Sequence, residues 1–190
     1  MGYEQELAVA QAAVIAAAQL CEAVRRDMVP EAIEKADKSP VTVADYGAQA
    51  IICRALSEAF PADPVVGEED AAELRSPAMA DRLKQVTGFV TTVLGSTAPE
   101  QVAQWIDHGN GAPARRFWTL DPIDGTKGFL RGDQYAIALA LIEDGDLKVG
   151  VLGCPALSLN QGNPGLLFTA VRGGGTWMQQ IGRASCRERV

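Results

Sequence analysis

The run Trp118-Thr119-Leu120-Asp121-Pro122-Ile123-Asp124-Gly125-Thr126 concentrates oxygen donors of the kind a hard divalent cation takes. An apolar stretch reads as a strand that delivers the chain to Asp121, and Pro122 predicts that ladder pairing ends there in a turn. In such a turn the Asp121 and Asp124 carboxylates converge, and the Ile123 carbonyl is left as a third oxygen. Gly125 permits close backbone approach, and the N–H groups after it, with the Thr126 hydroxyl, can form an anion nest. Carboxylates, a carbonyl and a nest within six residues suit divalent cations that hold a phosphate. A surface Asp-Gly turn with a capping aspartate uses the same residue types, so this run alone leaves both readings open.

Two further acidic positions enter the argument. Glu68-Glu69-Asp70 follows Gly67 at the end of a short apolar strand, where it is either part of a site or a solvated acidic loop. Asp45 lies in the first turn of a helix opened by Thr42, where an acidic residue closes a capping box and complements the helix dipole whether or not it has a second task. Among the cations, Lys127 and Arg131 adjoin the Asp121 run, while Lys35 and Lys38 precede Asp45 in a charged stretch that reads as a solvated loop. His108 is the only histidine and reads as a surface residue at a polar helix end, and Gly173-Gly174-Gly175 reads as a turn.

The elements that must position these residues follow from periodicity. Glu4 to Met28 reads as a helix, with Leu7, Val14, Ala18, Cys21 and Val24 on one face and Arg25 and Arg26 at its end. Thr42 to Phe60 reads as a second helix, ended by Pro61, and Pro64 to Gly67 as a short strand. Helical patterns also cover Met79 to Leu94 and Pro99 to His108, and Glu31 to Pro40 reads as a loop or irregular hairpin. Strand patterns cover Arg116 to Leu120, Ala136 to Ile142, Leu147 to Cys154 and Gly165 to Val171, with a hairpin turn at Glu143-Asp144-Gly145-Asp146. Helices first and strands later predict an α+β fold, with helices packed on a largely antiparallel sheet.

Of the 190 residues, 17 are Lys or Arg and 24 are Asp or Glu, for a net charge of −7. That balance argues against a nucleic-acid polymer or an anionic membrane as partner, though not against a small anion held through metal ions. The apolar start is broken by Gln11 and Gln19 and opens with Glu4 and Glu6, which is not the pattern of a signal peptide or a membrane span. Cys21, Cys53, Cys154 and Cys186 show neither C-x-x-C spacing nor a histidine cluster, so a reduced, cytoplasmic protein is expected.

Ser39-Pro40-Val41-Thr42-Val43-Ala44-Asp45-Tyr46, Gly67-Glu68-Glu69 and Asp121 to Arg131 occur in the order and rough spacing of the inositol monophosphatase superfamily. Within it, Asp124 to Gly132 followed by Asp133-Gln134-Tyr135 resembles the 3′(2′),5′-bisphosphate nucleotidase branch, and the resemblance spans residues 3 to 178. It implies a layered α/β sugar-phosphatase fold and a magnesium-dependent, lithium-sensitive hydrolase. Its substrates would be the 3′-phosphate of adenosine 3′,5′-bisphosphate and the related 3′-phosphoadenylyl sulfate. By matching position it implies Glu68, Asp121, Asp124 and the Ile123 carbonyl as metal ligands for two or more Mg2+. Asp45 and Thr126 would activate a water, and Gly125, Thr126 and Lys127 would contact the substrate phosphate. Inositol-phosphate hydrolysis is the neighbouring alternative. An aspartyl-phosphate mechanism needs carboxylates two apart, whereas Asp121 and Asp124 are three apart with a proline between them.

The family also uses an aspartate in a later Trp-Asp motif, and no Trp-Asp dipeptide occurs among these residues. Residues 181–190, Ile-Gly-Arg-Ala-Ser-Cys-Arg-Glu-Arg-Val, back-translate to read-through of a short-read sequencing adapter. The sequence is therefore expected to comprise an N-terminal metal-phosphatase domain over 1–180 and a non-native tail over 181–190. A domain lacking that aspartate is expected to turn over weakly or to bind metal without catalysis.

Overall fold

The structure is a computed structural model and describes residues 2–27, 33–34, 40–159, 163–182 and 187–189. Lys35, Lys38, Ser39 and Cys186 lie outside the described residues.

Helix α1 (Glu4–Asp27) carries Glu4 and Glu6 in its first turn and Arg25 and Arg26 in its last, each complementing the helix dipole. Strands β1 (Ile33–Glu34) and β2 (Pro40–Val41) form a small antiparallel pair where a loop or hairpin was expected. Helix α2 (Val43–Ala59) begins at the Thr42 N-cap and is buried on nearly every side over its first three turns. After β3 (Val65–Val66) come two 3₁₀ turns, α3 (Ala80–Leu94) and α4 (Pro99–Asp107). The rest of the chain is β4 (Arg116–Asp124), α5 (Thr126–Arg131), β5 (Ala136–Glu143), β6 (Asp146–Cys154), β7 (Leu166–Val171), β8 (Gly175–Gln180) and β9 (Arg187–Arg189).

Strands β3 to β9 form one sheet in sequence order, parallel between β3 and β4 and antiparallel elsewhere, as an α+β chain of this pattern predicts. Asp144 and Gly145 both have positive φ, the conformation of a two-residue turn matched to strand twist, so the β5–β6 hairpin forms at the predicted residues. Along β4 and β5, Trp118, Leu120, Ile137, Leu139 and Leu141 are buried and alternate with partly exposed neighbours. The buried side meets α1 and α2, which pack on each other. Small residues set that distance: a Cβ on Gly153 of β6 would lie 2.6 Å from Val14 Cγ1, and one on Gly47 of α2 would lie 2.8 Å from Leu20 Cδ1. The opposite face, with Thr119, Ala138, Ala140, Leu152 and Phe168, borders an open hollow of about 380 Å3.

Arg116 ties the layers together. Its Nε donates to Asp63 Oδ2 at 2.8 Å and its Nη2 to Glu6 Oε1 at 3.0 Å, with Glu143 at 3.6 Å. Asp63 and Glu6 are themselves mostly covered, so removing the guanidinium strands two carboxylates. Arg116→Met is expected to lower stability by about 2 kcal/mol, read as a fall in the urea midpoint at unchanged slope.

Several expectations are corrected. β4 does not end at Leu120 but runs through Pro122 to Asp124, and α5 and β8 form where the pattern showed no element. Residues Arg187–Arg189 form β9, which pairs antiparallel with β8. α1 does reach the length and mean hydropathy, 1.7, of a membrane-crossing helix, yet half of that stretch is buried inside the protein. His108 is partly buried, not a surface residue; burial lowers its pKa, and its Nε2 has no hydrogen-bond partner among the described residues. Cys21, Cys53 and Cys154 are buried free thiols.

Candidate metal and phosphate site

Parallel pairing aligns Val65 with Trp118 and Val66 with Thr119. Two more residues along the same direction bring Glu68 level with Asp121. The carboxyls of Glu68 and Asp121 are hydrogen-bonded to each other, so neighbouring strand ends join two acidic motifs separated by some fifty residues of sequence. Glu68 is exposed at the rim, whereas Glu69 is buried at 3% exposure.

Asp121 and Asp124 are an odd number of residues apart, which on a regular strand would point them to opposite faces. The register breaks between them: Asp121 pairs with Ala138 and Asp124 with Ala136. Three steps on β4 thus match two on β5, which is a one-residue bulge. The extra residue puts both aspartates beside positions on the same face of β5. Pro122 sits inside the bulge, where its missing N–H costs no ladder bond. Convergence of the carboxylates is as expected, but it comes from a bulged strand and not from a turn that terminates it.

Beyond Asp124 the chain reverses at Gly125, whose φ of 91° and ψ of 40° favour glycine, and enters α5. The Gly128 and Phe129 N–H groups bond the Gly125 carbonyl at 2.7 and 3.0 Å. The Thr126 and Lys127 N–H groups, at the start of the helix, have no intrahelical acceptor. Lys127 is exposed, and Arg131, also exposed, donates its Nε to Asp133 Oδ2 at 2.9 Å.

The two readings of Asp45 turn out to be compatible. Its Oδ2 accepts from the Thr42 N–H at 2.8 Å and the Thr42 hydroxyl at 2.6 Å, completing the cap. Its Oδ1 lies 3.4 Å from the Thr126 hydroxyl, which is also 3.1 Å from the Ile123 carbonyl. One carboxylate therefore locks the start of α2 with one oxygen and offers the other to Thr126. Asp45 is 3% exposed, so both tasks are performed away from bulk water.

The local field is negative. Burial, the Glu68 charge and hydrogen bond, and Asp124 together push the Asp121 pKa up to about 7, although the Ile123 N–H at 3.1 Å opposes the rise. Tyr46, buried next to Asp45, is also pushed well above the ordinary phenol range, by burial and then by Glu69, Glu73, Asp70 and Asp45. Among the described residues no three acidic, imidazole or thiol side chains already enclose an ion. What exists is a hydrogen-bonded carboxyl pair, with a third carboxylate close enough to act on it. This all-oxygen donor set, with the Ile123 carbonyl beside it, fits a hard cation such as Mg2+, whose charge would offset that of the clustered carboxylates.

Sequence reasoning missed Gln49. It is fully buried on α2, one turn after Asp45, and bonds the backbone beside Glu68. The available signal was a single polar amide within the apolar stretch from Ala48 to Cys53.

A sequence profile of the inositol monophosphatase family matches residues 3–189. The chain is 42% identical to 3′(2′),5′-bisphosphate nucleotidase 1 of Arabidopsis thaliana, over 100% of this chain and 61% of the relative. It is 45% identical to the 3′(2′),5′-bisphosphate nucleotidase of Oryza sativa, over 94% of this chain and 56% of the relative. The chain thus spans little more than half the length of these curated relatives. Among solved structures, CysQ from Bacteroides thetaiotaomicron aligns over 99% of this chain and 54% of its own, with a TM-score of 0.58 at 21% identity. The extragenic suppressor protein suhB from Bartonella henselae aligns over 97% and 56%, with a TM-score of 0.61 at 24% identity. The bulged Asp121–Asp124 strand, the capped Asp45 and the Glu68 loop lie within the matched region, and the chain belongs to the inositol monophosphatase family.

Proposed function

We propose that the chain contributes to a Mg2+-dependent phosphomonoesterase that removes the 3′-phosphate of adenosine 3′,5′-bisphosphate. 3′-phosphoadenylyl sulfate is a related substrate, and two or more Mg2+ serve each site. The observation that carries the reading is the Asp45–Thr126 pair set beside the Glu68–Asp121–Asp124 cluster. The nucleotide class is supported by the 42% and 45% identity to 3′(2′),5′-bisphosphate nucleotidases.

Glu68, Asp121, Asp124 and the Ile123 carbonyl would hold the metal. When bound, it supplies positive charge and Lewis acidity next to the phosphoryl oxygens. Asp45 accepts the Thr126 hydroxyl proton through Oδ1. This leaves the threonine oxygen free to accept a proton from a water aimed at phosphorus; that water forms the new P–O bond as the bond to the 3′-oxygen breaks, and the leaving oxygen takes up a proton from solvent. The Thr126 and Lys127 N–H groups and the exposed Lys127 ammonium would contact the anion. No covalent intermediate on the protein is required. Because the metal carries the positive charge, an acidic chain can still take a polyanionic substrate. Buried thiols at Cys21, Cys53 and Cys154 suit a reducing, cytoplasmic setting.

Phosphate release from adenosine 3′,5′-bisphosphate and from inositol 1-phosphate, each with Mg2+, tests the reading. Faster release from the nucleotide is expected. Preference for the inositol ester would overturn the substrate assignment, and Mg2+-independent release would overturn the mechanism.

A further inference from the structure

Glu68 stands on a short loop after a two-residue strand, an arrangement that does not by itself hold a side chain in place. The neighbouring backbone is held by Gln49. The Gln49 Nε2 donates to the Glu69 carbonyl and, at 2.8 Å, to the Ile106 carbonyl. Its Oε1 accepts from the Glu69 N–H at 3.0 Å. Both amide hydrogens and the amide oxygen are thus used on main chain, and reversing the amide would set donor against donor at Glu69. The side chain is fully buried, so these bonds are not exchanged with water.

Two glycines make room for this amide. A Cβ on Gly67 would lie 2.6 Å from Gln49 Oε1, and one on Gly109 would lie 2.5 Å from Nε2. Neither position has the positive φ that would call for glycine on backbone grounds. The same glycines are joined, Gly67 N–H to Gly109 carbonyl at 2.7 Å, and Ala71 N–H is fastened to Asp107 Oδ1 at 2.8 Å. The loop from Gly67 to Ala71 is thereby anchored to the end of α4 on both sides of Glu68. Gln49 follows Asp45 by four residues, one helical turn, so both lie on one face of α2.

On this basis we infer that Gln49 is a positioning residue for the divalent-cation site: through Glu69 it sets Glu68 opposite Asp121, so that α2 aligns the Glu68 loop and the Asp45–Thr126 pair as one rigid body. The inference rests on the metal reading proposed above and assigns to the buried amide a role in cation affinity.

The test is Mn2+ titration of the chain followed by electron paramagnetic resonance, with amide hydrogen exchange at Glu69 as a metal-independent readout. Gln49→Met keeps the volume and removes all three bonds. It is expected to speed Glu69 exchange and weaken Mn2+ binding about 10-fold, as loss of supporting contacts behind a ligand does. Leu56→Ala, a buried truncation farther along α2, is the control for general destabilisation and should leave Mn2+ affinity unchanged. A folded Gln49→Met with parental Mn2+ affinity overturns the inference, as does an equal loss in Leu56→Ala. Should Gln49→Met not fold, Gly67→Ala displaces the same amide and must show the same loss; unchanged affinity in that folded variant overturns the inference. A parent chain that binds no Mn2+ defeats the metal reading itself, and unchanged Glu69 exchange in the variant then defeats the clamp separately.

Discussion

Asp121→Asn is expected to stabilise the metal-free chain at pH 8 while abolishing its response to Mg2+. In the folded protein burial, Glu68 and Asp124 push the Asp121 carboxyl up to about 7 from an ordinary value of 3.8. Between those values the folded state binds more protons than the unfolded state, so stability falls as pH rises from about 4 to 7 and then levels off. Above pH 7 the fold carries Asp121 ionised next to two other carboxylates, and an uncharged amide of the same shape removes that repulsion. Asp121 is only partly buried and Glu68 is exposed, so solvent screening reduces the gain to about 1 kcal/mol, or roughly 2–4 °C in Tm for a chain of this size. The parent should show the opposite response to metal. Mg2+ takes the deprotonated ligand, so its affinity should rise as pH passes through about 7, and millimolar Mg2+ should raise the parent Tm by mass action. Thermal melts of both proteins at pH 5 and pH 8, with and without Mg2+, check every part. A variant less stable than its parent at pH 8 without metal would show that Asp121 is held by favourable contacts and is not a site of stored repulsion.

Asp45→Asn should separate the two tasks of one carboxylate. With its carbonyl in the Oδ2 position, asparagine still accepts the Thr42 N–H and hydroxyl, so the cap at the start of α2 survives and stability changes by less than about 1 kcal/mol. At the Oδ1 position the amide nitrogen now faces Thr126 and donates to its hydroxyl oxygen. The threonine proton is then directed to the Ile123 carbonyl, and no carboxylate stands behind the hydroxyl to receive the proton passed on from water. Phosphate release is expected to fall about 10³-fold relative to the parent, the scale of a lost proton-transfer pair. Asp45→Ala removes the cap as well and should lose both activity and about 1 kcal/mol more stability. A fall in melting temperature for Asp45→Asn as large as for Asp45→Ala would show that the asparagine does not preserve the cap. Activity within 10-fold of the parent would remove Asp45 from the proton path.

Much of this protein was legible from local pattern. The spans of α1 and α2, the cap at Thr42, the Asp144-Gly145 turn and the strands from β5 to β7 follow from periodicity, dipole-matched charges and turn chemistry, all of which act over a few residues. The oxygen-rich run from Asp121 to Thr126 and the family it indicates were equally visible, because those residues are contiguous. What pattern could not supply was partnership. Pro122 was read as ending a strand, since a proline cannot serve a central ladder; only pairing with β5 showed that a bulge accommodates it and turns Asp121 and Asp124 to one face. α5 and β8 lack strong periodicity and exist because neighbours complete them.

Sequence by itself determined which groups could hold a cation and a phosphate, since donor chemistry is a property of residue type. Tertiary structure decided which of them meet. The parallel register of β3 on β4 brings Glu68 to Asp121, and the capped α2 directs one oxygen of Asp45 at Thr126. Gln49, an amide with no chemistry of its own, gains its role only because folding buries it against the Glu69 backbone, where three unmade hydrogen bonds would be costly. Register, bulge and burial depend on residues distant in sequence, and their energies are settled only when those residues pack together.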